Sequence, residues 1–535
     1  MQVHKLLAHL SGALAVTMIA GGSARAASPT TPIEHVVVIF QENVSFDHYF
    51  ATYPSAKNTD GTKFSATAGT PSVNGLTPAL LSTSNPNWNG TFGQPFRLSF
   101  SQAATCDQDH DYENEQQAFD NGMMDMFPAF TNEDCTPAAL DAGHPNDIVM
   151  GYYDGNTTSA IWNYAQHFAM NDNSYGTTFG PSAPGAVNLI SGDTGGAVQD
   201  FETGDVTDGA LTSDAQPTND TCTTRDSAHM TGKNIGDLLN AAGLTWGWFE
   251  GGFNLNTTNP DGSKGCARTH TSLTGAFSPK VDYIPHHSAF QFYPSTANPT
   301  HIRPTSVSAI GTAADAANHN YDSDDFYAAL AAGNLPNVVF LKAPGYQDGH
   351  AGYSTPLDEQ VFVASTINQI EASKFWDSTA IIIEYDDSDG WYDHQIAPIL
   401  LHSQATGTGG SQSDALTGPG MCGSSSNGLQ GQGRCGYGPR LPYLVVSPWA
   451  RTKFVDHTTT DQSSTIAFIE KNWGLLSVNP GNPGSYDQYA GPITNMFDFT
   501  QKKGAVSKHT VFIDPATGEV LKKEPKNIGK NTTTP

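Results

Sequence analysis

The sequence predicts an α/β fold: a central mixed, mostly parallel sheet with helices on both faces and large loop insertions. Three observations carry this. Two apolar, β-branched runs, His35–Phe40 (HVVVIF) and the start of Thr379–His394 (TAIIIEYDDSDGWYDH), read as strands buried on both faces. Helical and strand patterns alternate through the second half of the chain, as they do around a parallel sheet. Both apolar runs break abruptly into polar, acidic residues, and the carboxyl ends of strands are where open α/β sheets hold their chemistry.

Residues 1–26 have the form of a secretory signal peptide, with Lys5, a short apolar core from Leu6 to Ala20 and an Ala24-Arg25-Ala26 cleavage site. The mature protein is therefore expected to be secreted or periplasmic. No later segment is long and apolar enough to span a bilayer, so no stable membrane insertion is expected. Lys+Arg 25 against Asp+Glu 52 gives −27, and removal of Lys5 and Arg25 with the leader makes −29. That balance, without clustered Lys/Arg, excludes sequence-independent binding to nucleic acid or to an anionic membrane. Six cysteines in an exported chain point to disulfides, paired by proximity as Cys106–Cys135, Cys222–Cys266 and Cys422–Cys435. No C-x-x-C pair supports a zinc site.

The first strand ends in Gln41-Glu42-Asn43, and Ser45 opens a short helix at Phe46-Asp47. Residues 51–105 are an irregular excursion. His110 then follows among acids in Cys106–Asp111, where a solvated loop histidine is the plainer reading. Asn156–Met170 is apolar at helical spacing, with Trp162, Tyr164 and Phe168 as core. Ser182 sits between Pro181 and Pro184 in the glycine-flanked stretch Gly176–Gly192, before an apolar run, Ala186–Ile190, that reads as a strand. A serine in such a turn is either held out as a nucleophile or merely caps a helix. No G-x-S-x-G elbow is present, so activation by a metal is the expected route if Ser182 is a nucleophile. Helix–strand pairs follow: Asn234–Ala242 with Leu244–Trp248, Asp325–Ala332 with Asn337–Leu341, and Leu357–Ser373 leading into the acidic strand. Leu444–Ser447 adds one more strand. Residues 402–437 form a Gly/Ser-rich loop. From Met496 the chain reads as tail-like, with a hairpin turn at Asp514–Gly518 and a basic, disordered end, Lys522–Pro535. The domain reading is a leader over 1–26, one domain over 27–500 and a C-terminal hairpin and tail over 501–535.

Parallel strands place their carboxyl ends side by side, so Glu42 and Asn43 are expected to meet Asp386 and Asp387, with Asp389 and Asp393 crowding the same exit. Oxygen ligands that converge without neighbouring cations repel one another, and one divalent metal ion is the simplest remedy. The oxygen-dominated set favours calcium, magnesium or manganese over zinc, a preference the histidines weaken.

Together these stretches resemble the bacterial phospholipase C and acid phosphatase family of secreted phosphoesterases, relatives of alkaline phosphatase in fold. Glu42–Phe50 matches E-N-x-S-F-D-H-Y-F, Gly180–Pro184 matches G-P-[TS]-x-P, and Tyr385–His394 matches Y-D-[ED]-x-x-G-x-Y-D-H. His286-His287 in YIPHHSAF, His350, Gly436–Pro442, Ser447–Arg451 and the closing helix Ser463–Leu475 match as well. The resemblance implies metal-assisted phosphoryl transfer on a phosphate-ester substrate, a phospholipid or a small phosphomonoester. In it Glu42, Asn43, Asp386 and Asp387 hold the metal and Ser182 is the nucleophile, passing through a phosphoseryl intermediate. His110, His350 and His287 hold phosphate oxygens or protonate the leaving group. His286, Asp393 and His394 are candidates for support, although adjacent His286 and His287 would face opposite ways on a strand. Ser182 and Asp386-Asp387 resemble the acid phosphatase branch, where phospholipase members carry threonine and Asp-Glu, whereas Asp47–Phe50 has the phospholipase wording. Gly185 stands where the family has asparagine. The alternatives are thus a phospholipase C, a phosphomonoesterase, and an exported binding protein on an inactive scaffold.

Overall fold

The structure is a computed structural model describing residues 26–406, 412–423, 429–430, 433–480, 485–506 and 509–526. The predicted leader, apart from Ala26, and the last part of the predicted basic tail lie outside the described residues.

Among those residues an eight-stranded sheet forms the centre. Its strands are β1 (His35–Gln41), β2 (Ala169–Asn171), β3 (Trp246–Glu250), β4 (Asn320–Asp322), β5 (Val338–Lys342), β6 (Thr379–Tyr385), β7 (Tyr443–Val446) and β8 (Phe454–Asp456). They lie in the order β4-β3-β5-β1-β6-β7-β2-β8. Only β7 runs against its neighbours, so the sheet is mixed and mostly parallel, as the sequence predicts. β1 and β6 are buried along their whole length. Their unbroken apolar sequence reflects cover on both faces, where an alternating pattern would leave one face wet.

The helices are α1 (Phe46–Phe50), α2 (Tyr112–Phe119), α3 (Ser159–His167), α4 (Ser182–Ser191), α5 (Ile235–Ala241), α6 (Ser323–Ala332), α7 (Pro356–Glu371) and α8 (Ser464–Trp473). α3 packs with α7, while α4 packs with α5 and α8. Several starts are fixed locally. Asn234 and Asp322 close capping boxes with Asp237 and Asp325, and Thr355 accepts from Asp358 N ahead of Pro356. Ser45 caps α1 through His48 N, as expected.

One element differs in kind. Ala186–Ile190, which reads as a strand, lies inside α4. A five-residue apolar run fits either a buried strand or a buried helix, and every residue of α4 is buried, so no polar stripe marks the helical period. A second difference concerns the end of the chain. The stretch after Met496 reads as tail-like, yet Phe497, Val511 and Ile513 are buried. Ile513 N donates to Asn368 Oδ1 at 3.0 Å, Asn368 returns a bond to Ile513 O at 2.7 Å, and Val511 N donates to Glu371. The predicted turn at Asp514–Gly518 is present, closed by Gly518 N to Asp514 O and a bridge between Ile513 and Val520. All three expected disulfides form. No helix among the described residues is long and apolar enough to cross a membrane.

Truncation after Thr500 is expected to lower the unfolding free energy by at least about 2 kcal/mol, since two buried aliphatic side chains leave α7. Chemical denaturation checks this, and an unchanged midpoint would contradict the docking.

Candidate active site

The register of the central strands builds the site. β1 pairs β6 in parallel from His35↔Thr379 to Gln41↔Tyr385, and pairs β5 on its other side up to Phe40↔Lys342. Glu42 and Asn43 therefore leave the sheet beside Asp386 and Asp387, with Lys342 on the opposite flank. The ladder continues beyond the strands: Val44 N donates to Asp387 O at 2.9 Å and Glu42 N to Asp348 O at 3.0 Å. Asn43 takes a left-handed conformation, φ 59°, which asparagine tolerates better than most residues. Its backbone N donates to Asp386 Oδ1 and its Nδ2 to Asp389 Oδ1, each at 2.9 Å.

Ser182, the first residue of α4, meets this turn. Its Oγ lies 3.0 Å from Glu42 Oε2 and 3.2 Å from Asp387 Oδ2, within hydrogen-bond reach of both. The helix comes this close because residue 185 is glycine: a Cβ there would sit 2.2 Å from the Asp386 carbonyl oxygen. Glycine at 185 thus sets the approach of α4 to the Asp386 turn.

The cage has a cation that sequence reasoning omits. Lys342, fully buried, is in direct ion-pair contact with Glu42 Oε1 and lies 3.8 Å from Asp386 Oδ2. The only signal for it is a lysine closing the apolar run VVFL, one residue beyond the predicted strand end. The expectation of carboxylates without a neighbouring cation is corrected accordingly. Lys342 faces the buried carboxylates of Glu42, Asp348 and Asp386, and Asp387 and Asp389 are buried as well. Burial, followed by the charge of Asp386, holds the Glu42 carboxyl well above its usual range. Burial pushes Asp387 and Asp389 up as well. Asp386 goes the other way: burial raises it, but Lys342 and donors from its neighbours more than offset that. Asn43 Oδ1, Asp386 Oδ2 and Asp389 Oδ2 are buried and accept no hydrogen bond. Such oxygens fit a hard divalent ion, which holds the carboxylates around it ionised.

The histidines form the outer wall. His110 keeps Nδ1 on Gln108 O at 2.7 Å and stands 3.6 Å from Asp389 Oδ1. Burial opposes its charge, yet Asp387, Asp389 and Asp107 hold its pKa well above the ordinary value. His350, ring centroid 6.2 Å away, is pushed by burial to about 4. Asp107, His110, His350 and Asp389 bring ligand atoms within 4.8 Å of one another. His287 Nδ1 is 3.2 Å from Glu42 Oε1, and burial holds it well below the ordinary value. His286 and His287 do not face opposite ways on a strand. They lie on a 3₁₀ turn, Pro285–His287, with ring centroids 4.6 Å apart, and His286 Nε2 is 3.5 Å from Asp214 Oδ2. Asp393 and His394 bind elsewhere, in a buried network with Asp47 and Arg440 that ties α1 to the acidic turn. Asp214, Asp348 and Glu115 carry no sequence signal of their own. Asp214 accepts from Ala183 N at 2.8 Å, and Glu115 accepts from Gly180 N and Ser388 Oγ, bracing the serine turn against the acidic one.

The fold and site define an α/β protein with a serine held inside a buried carboxylate cage at the carboxyl ends of its central strands. The chain belongs to the Phosphoesterase family, whose model matches residues 33–476, a family of hydrolases that act on phosphoester bonds. It is 24% identical over 457 residues to a non-hemolytic phospholipase C of Pseudomonas aeruginosa, covering 84% of this chain and 55% of that protein. It is 23% identical over 488 residues to phospholipase C B of Mycobacterium tuberculosis, covering 88% of this chain and 78% of the relative. The chain thus spans little more than half of the Pseudomonas relative. Among solved structures, one of a protein in the alkaline phosphatase superfamily from Vibrio parahaemolyticus aligns with a TM-score of 0.30 at 11% identity, over 63% of this chain and 64% of that one.

Two expectations follow. Gly185→Ala should destabilise the protein by about 1–3 kcal/mol through overpacking against Asp386, read by thermal unfolding; a wild-type Tm would contradict the close approach. Burial pushes the Glu115 carboxyl up to about 7 from its ordinary value of 4.5. The native state thus takes up a proton that the unfolded chain does not hold across that window, and stability declines as pH rises through it. Glu115→Gln should flatten the decline, measured as urea midpoints across that range; an unchanged slope would count against the assignment.

Proposed function

We propose that this protein is an exported, metal-assisted phosphoric-ester hydrolase, phospholipase C-like, that works through Ser182. The observation that carries the reading is the Ser182 hydroxyl within 3.2 Å of two buried carboxylates, Glu42 and Asp387. Glu42, Asn43, Asp386 and Asp387 would hold one divalent ion. When bound, that ion supplies charge neutralisation for the serine alkoxide and the phosphoryl oxygens.

The remaining steps belong to the chain's own groups. Ser182 Oγ gives its proton toward the Asp387 carboxylate and bonds to phosphorus while the ester oxygen departs. His110, kept protonated by three aspartates, binds a phosphoryl oxygen or donates a proton to the departing ester oxygen. Water then attacks the phosphoseryl group, its proton passing to the same wall of histidines, while Ser182 Oγ takes its proton back from Asp387 as the bond to phosphorus breaks. His350, kept neutral by burial, is suited to accept a hydrogen bond from the attacking water. His287 orients Glu42, with which it shares the 3.2 Å contact. Export is supported by the leader-like N-terminus and three disulfides. The curated relatives are phospholipases C, which favours a diester; Ser182 and the Asp386-Asp387 pair favour a monoesterase with the same site. An inactive binding protein is disfavoured by the intact cage.

Ser182→Ala is expected to lower hydrolysis of p-nitrophenyl phosphate or a phosphatidylcholine by at least about 10³-fold, with the fold retained by circular dichroism. Brief reaction and acid quench should leave phosphate on Ser182 by mass spectrometry. Wild-type turnover in the variant would overturn the nucleophile. Chelation should abolish activity and added divalent metal restore it.

A further inference from the structure

We infer that Lys280 and Arg225, two cations at the mouth of the site, select a doubly ionised phosphomonoester over a choline-bearing diester. The inference rests on the phosphoester reading above and names the substrate class for that site.

The mouth adds two cations, Lys280 and Arg225, beside the carboxylates of Asp214 and Asp226. Glu42, Asp386, Ser182, Lys342 and His287 are buried, whereas the mouth groups reach water: the Arg225 side chain is 40% exposed and that of Asp214 25%. Lys280 lies on a short strand, Lys280–Val281, paired with Thr269–His270, so its backbone is fixed. Its Nζ sits 3.7 Å from the centroid of the Tyr353 ring. The Tyr353 hydroxyl donates to Asp348 Oδ2 at 3.3 Å, and Asp348 in turn stands 3.9 Å from His287 Nδ1. Lys280 thus reaches His287 of the histidine wall through three successive contacts, and its charge acts on Asp348, Asp107 and Glu42. On another side, Arg225 Nη2 is 3.3 Å from His286 Nδ1, while Nη1 holds Asp226. His286 reaches Asp214, which receives the N–H of Ala183, the neighbour of Ser182.

Two physical consequences follow. A phosphomonoester loses its second proton with a pKa of about 6 and is largely a dianion at neutral pH, while a diester stays a monoanion. Above an anionic floor, the extra charge needs cations, and Lys280 and Arg225 supply them. A quaternary ammonium instead seeks an open aromatic face. The Tyr353 ring already carries the Lys280 ammonium and stacks with His350 at 4.2 Å. A choline group would therefore meet a like charge where it needs a ring.

The test uses the full metal-loaded chain with p-nitrophenyl phosphate and p-nitrophenylphosphorylcholine, and calorimetric binding of inorganic phosphate and dimethyl phosphate. The wild type should prefer the monoester. Lys280→Met should lower the monoester-to-diester ratio of kcat/KM about tenfold, carried by KM. It should weaken phosphate relative to dimethyl phosphate to a similar extent. Arg225→Gln should act in the same direction, and Lys280→Arg should retain the wild-type preference. Equal losses for both substrates and both ligands, or a wild type that favours the choline diester or binds no phosphate, would overturn the inference. A wild type that turns over neither substrate, yet binds phosphate in a Lys280-dependent way, would sink the hydrolase reading and leave the anion-selective mouth standing.

Discussion

The pairing of β1 with β6 is the constraint from which the site follows. Once Gln41 lies opposite Tyr385, the residues after them have no choice but to emerge together. Glu42 and Asp386 are 344 positions apart in sequence, and both are excluded from water. Two carboxylates about 4 Å apart repel by about 4 kcal/mol at an effective dielectric near 20, so the arrangement persists only with compensation. Some comes from backbone and side-chain donors of Asn43, and some from Lys342. The proposed divalent ion would supply the rest, so that the same strands that stabilise the core would also define the chemistry.

α4 completes the cage from outside the sheet. Its approach depends on the absence of a side chain at residue 185, and its first turn is braced by Glu115 and Asp214. Ser182 is therefore held by packing and by bonds to neighbouring backbone, with its hydroxyl free for the carboxylates. Such preorganisation lets electrostatic stabilisation act without rearrangement during reaction. From this floor outward the groups change from carboxylates to histidines and then to Lys280 and Arg225. On the proposed reading, the outer layer would draw in an anionic ester and the metal-holding inner layer would receive it.

Much of this was legible in the sequence because of length and chemistry. Long apolar strands ending in acid are unambiguous, and β1 and β6 lie where His35–Phe40 and the start of Thr379–His394 predicted them. The convergence of Glu42, Asn43, Ser182, Asp386 and Asp387 followed from parallel register together with the family resemblance. What was illegible has common causes. α4 is buried all round, so its apolar run carries no helical period. Lys342 is one residue past a run that reads as finished, and a lysine there ordinarily signals solvent. His286 and His287 share a side of the site because a 3₁₀ turn, rather than a strand, carries them. The C-terminal segment docks through isolated residues, Val511 and Ile513, whose spacing marks no element. Asp214 and Glu115 serve through tertiary contacts alone, which no local pattern encodes.

The central claim is that Glu42, Asn43, Ser182, Asp386 and Asp387 enclose a single cation site. Elemental analysis of the purified full chain, beside its Asp386→Asn variant, tests it most directly. The account predicts one tightly held divalent ion per chain in the wild type and its loss in the folded variant. A wild type free of metal after exposure to calcium, magnesium and manganese, or a variant that keeps the ion at full stoichiometry, would contradict it.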